Sequence, residues 1–243
     1  MKKTTLTLAA FAVMASGAMA QDVVRIGTEG AYPPWNFIND ANELVGFEID
    51  LGNEICRRAE LTCEWVINDW DTIIPNLVAG NYDVIMAGMS ITEARSQVIS
   101  FTTNYLPSDP SAYMALAGTD ESVIDSGVIA VQSNTVQAGL VADGTADGLE
   151  FPTPDETISA VRNGEADAVL ADKNFLMPYV ADSGGDLVFI GEDLYPGSGT
   201  GAGIRQSDNE LRETLTAVIE EMKTDGSLNA LIEEWFGDGI AKF

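Results

Sequence analysis

Three charged residues follow short apolar segments of the chain, where they could face a bound molecule. They are Glu29, Arg95 and Asp172. The planar guanidinium of Arg95 suits a carboxylate, with which it can form two parallel hydrogen bonds. Asp172 could hold an ammonium group in return, because a charge taken out of water must be matched by opposite charge or hydrogen bonds. The structural alternatives are a solvated helix residue for Arg95 and a helix N-cap for Asp172.

Glu29 stands in an unusual segment, 28-TEGAYPPWNF-37, close to Tyr32 and Trp35 and to two consecutive prolines. An ordinary surface loop would explain this composition. A pocket wall for a cation would explain it equally well, since a cation against an aromatic face gains about 0.5–2 kcal/mol. The segment alone leaves both interpretations open, and we interpret Trp35 as structural.

The elements that must position these residues alternate along the chain, which predicts α/β units around largely parallel sheets. Apolar residues at 47, 51 and 55 predict a helix over 47–60, and 71–80 has the Asp start and Gly end of a capped helix. Two final helices are predicted over 208–226 and 227–237. The predicted strands lie near 23–27, 64–68, 82–87, 128–132, 166–171 and 187–190.

One pattern occurs twice, in 80-GNYDVIMAG-88 and 164-GEADAVLAD-172. Each copy has a glycine that ends a helix, then an Asp and a four-residue apolar strand. In open α/β sheets, ligands bind beyond the carboxyl ends of strands. We therefore expect Gly88 and Asp172, the residues just past the two strands, to share one cleft.

Two segments rich in proline or glycine interrupt the alternation, at 105–113 and 191–203. Either could be a plain surface loop. As a pair they predict two crossings between two lobes, each an open, mostly parallel sheet with flanking helices. The first lobe would comprise 21–109 and 197–243, and the second lobe 110–196.

The first twenty residues have the features of a secretory signal. Lys2 and Lys3 precede an apolar core that is too short to span a membrane, and Ala18-Met19-Ala20 predicts cleavage after Ala20. No later segment is apolar enough to insert into a membrane. We expect a monomeric protein free in the periplasm.

Composition argues against several classes of function. The 243 residues include 12 Lys and Arg against 38 Asp and Glu, a formal net charge of −26. Such a field repels nucleic acid and anionic lipid, although a dispersed acidic surface is also what solubility in salty water would require. The chain has no histidine, which removes Ser-His-Asp and Cys-His catalysis and most zinc sites. We expect neither a metal ion nor a cofactor.

The two cysteines, Cys56 and Cys63, are close together in 56-CRRAELTC-63. In an exported protein this spacing favours one disulfide that closes a short loop. A pair of buried free thiols is the alternative.

Five segments together resemble the periplasmic amino-acid-binding proteins of ABC importers. The resemblance is greatest to the lysine/arginine/ornithine and histidine binders and to the opine binders for octopine and nopaline. It extends over nearly the whole chain after residue 20, and the Cys56–Cys63 spacing is similar to the disulfide of the basic-amino-acid binders. The segments are 24-VRIGTEGAYPPWNF-37, 46-GFEIDLGNEIC-56, 69-DWDTIIPNL-77, 82-YDVIMAGMSITEAR-95 and 222-MKTDGSLNALIEEWF-236.

The resemblance implies the two-lobed type II periplasmic binding protein fold and a function in transport. The protein would capture a cationic amino acid and deliver it to an inner-membrane ABC permease, without catalysis. Glu29 would bind the distal cation of the ligand, and Tyr32 and Trp70 would sandwich its side chain. The implied substrate site comprises Glu29, Tyr32, Trp70, Ala87, Gly88, Ser90, Arg95, Thr135 and Asp172.

Three of these positions qualify the resemblance. The backbone N–H of Thr135 would join Arg95 in binding the ligand carboxylate. Ala87 and Gly88 stand where the lysine/arginine binder has serines, so a side-chain contact is lost and the site could be larger. An opine therefore remains a possible ligand beside arginine, lysine, ornithine and histidine.

Two other functions fit the same fold. Some periplasmic dehydratases for prephenate-like compounds share the architecture, and Glu29 could serve as their general acid. The matched pair of Arg95 and Asp172 favours an α-amino acid over such a substrate. A ligand-reporting subunit for a membrane sensor is the other alternative, and the sequence does not distinguish it from a transport protein.

Overall fold

The computed structural model describes residues 23–237 and 240–243, so the predicted signal segment 1–20 lies outside the described residues. The strands, numbered along the chain, are β1 (Val24–Thr28), β2 (Ala31–Tyr32), β3 (Asn36–Ile38), β4 (Leu44–Val45), β5 (Cys63–Ile67), β6 (Val84–Ile85), β7 (Ser100–Phe101), β8 (Ser111–Leu116), β9 (Val128–Gln132), β10 (Asp147–Phe151), β11 (Ala168–Asp172), β12 (Leu187–Leu194) and β13 (Gly203–Ile204).

The helices lie between these strands and at the carboxyl end of the chain. They are α1 (Phe47–Arg58), α2 (Ile73–Val78), α3 (Glu93–Ser96), α4 (Val123–Ser126), α5 (Val136–Asp143), α6 (Pro154–Asn163), α7 (Lys173–Asp182), α8 (Asn209–Asp225) and α9 (Ser227–Phe236), with a 3-10 helix at Trp70–Thr72 before α2. Within the described ranges, none of these helices combines the length and apolar character that a membrane span requires.

Two five-stranded sheets have the same arrangement. The first has the order β5-β1-β6-β13-β7, and the second the order β10-β9-β11-β8-β12. In the first, β1 runs parallel to β5 and β6, whereas β13 runs antiparallel to β6 and β7. In the second, β9 runs parallel to β10 and β11, whereas β8 runs antiparallel to β11 and β12. We call the part of the molecule built on the first of these sheets the first lobe, and the part built on the second sheet the second lobe.

The α/β class with helices that flank mostly parallel sheets is confirmed, because four of the five strands in each sheet run in the same direction and one, β13 or β8, runs against them. The antiparallel pairings involve β7, β8, β12 and β13, the strands next to the connections between the lobes. These strands enter or leave a sheet directly from the other lobe. Strands β8 and β13, which enter a sheet from the other lobe, run against the neighbouring strand of a βαβ unit, whose crossover helices return the chain in parallel. Strands β7 and β12 are antiparallel to β13 and β8 in turn, so they run in the same direction as the βαβ strands.

The chain crosses between the sheets twice, after Phe101 and after Leu194. Single bridges join Thr200 to Ser90 and to Leu106, so the two crossings run side by side. The expected lobe boundaries at 109/110 and 196/197 fall within these crossings. The assignment of residues to lobes at those boundaries stays a prediction.

Helix α1 packs the first lobe through the apolar stripe that the sequence predicts. Phe47, Leu51 and Ile55 on this stripe are all buried. The ring of Phe47 meets that of Phe236 of α9 edge-on, with 5.2 Å between ring centroids. The carboxyl-terminal helices thus return to the first lobe and cover α1, as the sequence predicts.

The repeated pattern occupies the same place in both lobes. Strands β6 and β11 each lie in the middle of their sheet. Gly80 and Gly164 each precede these strands in a left-handed conformation, with φ values of 82° and 74°. Because both strands end at the same edge, they carry Gly88 and Asp172 to the space between the lobes.

A small antiparallel sheet of β2, β3 and β4 was not predicted. It carries the chain from the turn after Glu29 to the start of α1. Asn36 Oδ1 accepts a hydrogen bond from the backbone N–H of Gly30 at 2.7 Å, and Gly30 has a φ of 73°. Strands of two or three residues are too short to show an alternating pattern in the sequence.

A disulfide joins Cys56 in α1 to Cys63 in β5, which confirms the predicted pairing. We expect replacement of both cysteines by serine to lower the free energy of unfolding by about 2.5 kcal/mol, the loop-closure entropy for a loop of this length. Urea denaturation of the oxidised protein and of the double variant measures the difference, and reduced wild-type protein is the matched control. Two thiols that titrate in the native, unreduced protein would contradict the assignment.

Candidate functional site

One cavity lies between the two lobes, where strands β1, β6, β9 and β11 end. It has an empty volume of about 320 Å³. All nine residues expected to form the substrate site line it, together with three that the sequence analysis did not name. The lining residues are Glu29, Tyr32, Trp70, Ala87, Gly88, Ser90, Arg95, Gln132, Thr135, Val136, Gln137 and Asp172.

Glu29 lies on the wall of this cavity and is only 9% exposed. A surface loop would leave its carboxylate in water, so that interpretation of the segment is wrong. Gln132 of the second lobe donates a hydrogen bond from Nε2 to Glu29 Oε1 at 2.6 Å. The same amide nitrogen also donates to the carbonyl of Pro152 at 3.2 Å, which holds it towards Glu29.

The electrostatic surroundings of Glu29 favour a positive charge beside it. Burial raises the pKa of its carboxyl to about 7, against the hydrogen bond from Gln132. The carboxylates of Asp69, Asp71 and Asp155 raise this pKa further. A cation next to Glu29 would lower the pKa again, because an opposite charge stabilises the ionised form. This end of the cavity therefore suits an ammonium or a guanidinium group.

Two aromatic side chains form adjoining walls of the cavity. Tyr32 stacks on Phe175 with 4.5 Å between ring centroids. Trp70 starts the 3-10 helix after β5, and it packs against Ile73 and Leu77 while it borders the cavity. Trp70 is thus both a residue of the hydrophobic core and a wall of the cavity.

Arg95 borders the cavity from the first lobe and lies in the short helix α3. Thr92 caps this helix and accepts a hydrogen bond from the backbone N–H of Arg95 at 3.2 Å. The guanidinium donates to the carbonyl of Ser90 at 2.9 Å, and its carbon lies 5.3 Å from the centroid of the Trp70 ring. Burial lowers the pKa of Arg95 to about 10, so the group is still charged at neutral pH.

Asp172 ends β11 and reaches the cavity from the second lobe. Tyr32 donates a hydrogen bond from its hydroxyl to Asp172 Oδ2 at 2.8 Å, and Gln137 Nε2 donates to Oδ1 at 2.9 Å. Burial raises the pKa of Asp172 to about 6, against those hydrogen bonds and the charge of Arg95. Asp172 occupies the N-cap position of α7, but its side chain makes no capping hydrogen bond. Its carboxylate is therefore directed to the cleft and not to the helix.

Thr135 is the N-cap residue of α5. Its hydroxyl oxygen accepts a hydrogen bond from the backbone N–H of Ala138 at 3.1 Å, and the hydroxyl donates to the carbonyl of Gln132 at 2.7 Å. Since these bonds engage the side chain, the backbone N–H is the group that the predicted role in carboxylate binding would use.

A buried carboxylate supports the cavity from behind, and the sequence analysis did not name it. Glu48 of α1 is fully buried and accepts hydrogen bonds from the backbone N–H of Gly88 at 2.8 and 2.9 Å. Asn36 Nδ2 donates to Glu48 at 2.8 Å, and the hydroxyl of Tyr105 also donates to it. Burial raises the pKa of Glu48, and these three donors oppose the shift. Glu48 thus fixes the backbone of Gly88 at the cavity.

Hydrogen bonds cross the cleft at several points. Besides the bonds from Tyr32 to Asp172 and from Gln132 to Glu29, Asn134 Nδ2 donates to Asp71 Oδ1 at 2.9 Å. Each of these bonds joins the first lobe to the second. The structure therefore shows the two walls of the cavity in contact.

Gln132 and Gln137 are the functional candidates that sequence reasoning missed. Gln132 ends strand β9, so the rule that ligands bind beyond the carboxyl ends of strands could have identified it. Gln137 is the second residue of α5, and no local pattern marks it. Only its hydrogen bonds to Ser111 and Asp172 identify it as a candidate. Among the described residues, no group of three or more acidic, cysteine or histidine side chains is arranged to hold a metal ion.

The chain is similar in sequence and in structure to known solute-binding proteins. The sequence model of a family described as bacterial extracellular solute-binding proteins, family 3, matches residues 24–238. A solved structure from Silicibacter pomeroyi is a periplasmic His/Glu/Gln/Arg/opine family-binding protein in complex with lysine. It is 58% identical with a TM-score of 0.87, and the alignment covers 90% of this chain and 100% of that one.

Two curated proteins of Escherichia coli strain K12 are also similar over nearly their whole length. The histidine-binding periplasmic protein is 36% identical, and the alignment covers 97% of each chain. The lysine/arginine/ornithine-binding periplasmic protein is 30% identical, again over 97% of each chain. These similar proteins are named as binding proteins.

Proposed function

We propose that this chain, which belongs to family 3 of the bacterial extracellular solute-binding proteins, captures a cationic amino acid between its lobes. One observation carries the proposal: the guanidinium of Arg95 and the carboxylates of Asp172 and Glu29 line a single cavity. A cationic amino acid has the opposite set of charges, one carboxylate and two positive groups. The ligands named for the similar proteins, which include lysine, arginine, ornithine and histidine, support this assignment.

In this proposal each end of the ligand has its own partner. Arg95 holds the α-carboxylate through its planar fork. Asp172 accepts hydrogen bonds from the α-ammonium. The distal cation lies against Glu29, and the side chain that carries it passes between Tyr32 and Trp70. Every charge removed from water is then matched by an opposite charge.

We infer further that the protein works outside the cytoplasm as the binding component of an importer. The signal-like segment 1–20 and the family support export, cleavage after Ala20 and action in the periplasm. A closed cleft with contacts from both lobes gives an inner-membrane ABC permease a loaded form to recognise. A monomer suffices for this role, since one chain supplies all the groups of the cavity.

Binding without catalysis fits the cavity better than the dehydratase alternative. The raised pKa of Glu29 would suit a general acid. However, its Oε1 accepts a hydrogen bond from Gln132, and the pair of Arg95 and Asp172 matches the two charged groups of an α-amino acid. The three similar proteins reported above are binding proteins and support the same choice.

A panel of amino acids tests the proposal directly. We expect arginine, lysine, ornithine or histidine to raise the melting temperature of the purified protein, because a ligand that binds only the folded state stabilises it by about 2.7 kcal/mol at 100 times its Kd. Glutamate and aspartate are the controls, and they should have no effect. A larger shift with an acidic ligand than with any cationic one would overturn the assignment.

Glu29→Gln tests the role of the distal carboxylate. The change keeps the size of the side chain but removes its charge, and a charge-assisted hydrogen bond contributes about 1.5–3 kcal/mol. We expect the affinity for arginine to fall roughly 10- to 150-fold, at about 1.4 kcal/mol per decade. Citrulline, the neutral isostere of arginine, should lose far less. Calorimetric titration of both ligands measures the two changes.

Two further variants serve as controls for Glu29→Gln. Asp69→Asn removes the same charge nearby, but Asp69 is exposed, so solvent screening should limit its effect on arginine. Arg95→Ala should weaken arginine and citrulline alike, because both carry the α-carboxylate. If Glu29→Gln weakened the two ligands equally, Glu29 would only shape the loop.

The protons exchanged on binding provide an independent test. Closure of the cleft over a neutral ligand leaves Glu29 with a pKa of about 7 instead of its ordinary 4.5, so at pH 6 citrulline should bind with uptake of about one proton. Its affinity should fall as the pH rises from 5 through 7. Arginine keeps Glu29 ionised, so its binding should lack this uptake. Titrations in two buffers of different ionisation enthalpy measure the difference, and equal uptake for both ligands would contradict it.

A further inference from the structure

A second cavity adjoins the first at the end where the α-ammonium would lie. It has an empty volume of about 310 Å³, and it shares Gly88, Ser90 and Asp172 with the first cavity. Its other walls come from Trp35 and from both crossings between the lobes; the crossings contribute Ser108, Asp109, Pro196, Gly197, Gly199 and Thr200. Any group attached to the α-nitrogen of a ligand would extend into this space.

Two buried polar atoms at this cavity have no hydrogen-bond partner within the described part of the chain, Asp109 Oδ2 and Trp35 Nε1. The other oxygen of Asp109 accepts a hydrogen bond from Asn174 Nδ2 at 2.7 Å. Trp35 is 2% exposed, and an added Cβ at Gly88 would lie 3.8 Å from its Cδ1, so the pyrrole edge of the indole faces the shared wall. A buried polar atom without a partner is costly, which indicates a place for a bound polar group.

We propose that the second cavity is a subsite for the group on the α-nitrogen of the ligand, and that Asp109 makes it reject a second carboxylate. The inference rests on the proposed function, which places the α-nitrogen at Asp172. A small neutral or hydrogen-bond-donating group can use the free oxygen of Asp109. An α-N-carboxyalkyl group, as in octopine, would bring a third carboxylate between Asp109 and Asp172, and like charges in such a place are strongly unfavourable.

The charges around Asp109 are consistent with this selectivity. Burial raises the pKa of Asp109 to about 7, and the carboxylates of Asp172 and Asp193 raise it further. The hydrogen bond from Asn174 and the charge of Lys173 act in the opposite direction. Lys173 is itself bound to Asp193, with 2.7 Å from Nζ to Oδ2, so it is not available to an anion in the cavity. Below pH 7 a protonated Asp109 could donate to a carboxylate, and the rejection should weaken.

The choice between an amino acid and an opine depends on this second cavity. The resemblance places Ala87 and Gly88 where the lysine/arginine binder has serines, which implies a larger site and keeps an opine possible. The structure does contain space beyond Gly88, but a carboxylate lines it. The charge of this space therefore selects against an opine.

The test compares L-arginine with octopine, its Nα-(1-carboxyethyl) derivative, by calorimetric titration. The readout is the affinity for octopine divided by the affinity for arginine, in the wild-type protein and in Asp109→Asn. We expect this ratio to rise at least tenfold in Asp109→Asn at pH 8.5. In wild-type protein it should also rise when the pH is lowered from 8.5 to 6, whereas in Asp109→Asn it should be nearly independent of pH.

Glu192→Gln is the matched control, since it removes an exposed carboxylate of strand β12 that neither borders the second cavity nor is among the charges that shift the pKa of Asp109. It should leave the ratio at its wild-type value. Asp109→Ser replaces Asp109→Asn if the latter does not fold, and the wild-type pH series needs no variant. An unchanged ratio in the Asp109 variant at pH 8.5, or an equal rise in Glu192→Gln, would overturn the inference.

Failure of the proposed function would be distinguishable from failure of the proposed subsite. If no cationic amino acid bound the wild-type protein but another amino acid did, the proposed ligand class would be wrong. The same ratio would then be measured for that amino acid and its α-N-carboxyalkyl derivative. A ratio that rose in Asp109→Asn would still support the subsite, and an unchanged ratio would remove it as well.

Discussion

The need to match desolvated charges across the cleft governs the rest of this structure. Burial raises the pKa of the carboxyls of Glu29 and Asp172, which lie where the lobes meet. Gln132 and Tyr32 donate hydrogen bonds to them from the opposite lobe, which offsets part of that cost. Full compensation of the two carboxylates requires positive charge. Among the described residues that line the cavity, Arg95 is the only basic one. The incompletely matched carboxylates thus define the ligand that the cleft can accept.

The fold meets this requirement by bringing the same edge of two similar sheets face to face. Strands β6 and β11 hold corresponding central positions, and their ends present Gly88 and Asp172. Behind this surface the buried carboxylate of Glu48 joins the backbone of Gly88 to Tyr105, whose own N–H donates to the carbonyl of Thr200 at 2.8 Å in the second crossing. The cavity wall and the two crossings therefore belong to one hydrogen-bonded unit. A polar network of this kind rigidifies its surroundings only when each member is satisfied.

Sequence reasoning succeeds where one local pattern is sufficient. The strand ends that carry Glu29 and Asp172, the stripe of α1 and the pair Cys56–Cys63 each have a signature within a few residues. It fails for contacts that depend on how the lobes meet. The role of Gln132 exists only because β9 of the second lobe reaches Glu29 of the first, and neither neighbourhood shows that pairing. Strands β2 to β4 escape for another reason, since they are too short to have a period.

The division of groups between the lobes explains why recognition and closure can be a single event. In the proposed function the lobes part when no ligand is bound, which would return Glu29 of the first lobe to water, and its carboxylate would be costly only when Gln132 and the opposite wall approach. A ligand with a distal cation removes that cost as it arises, and a neutral ligand leaves it in place. Differential stabilisation of the closed form is the only means by which a ligand can shift such an equilibrium. Under the proposed function, the charge of the ligand side chain would therefore set the stability of the closed cleft.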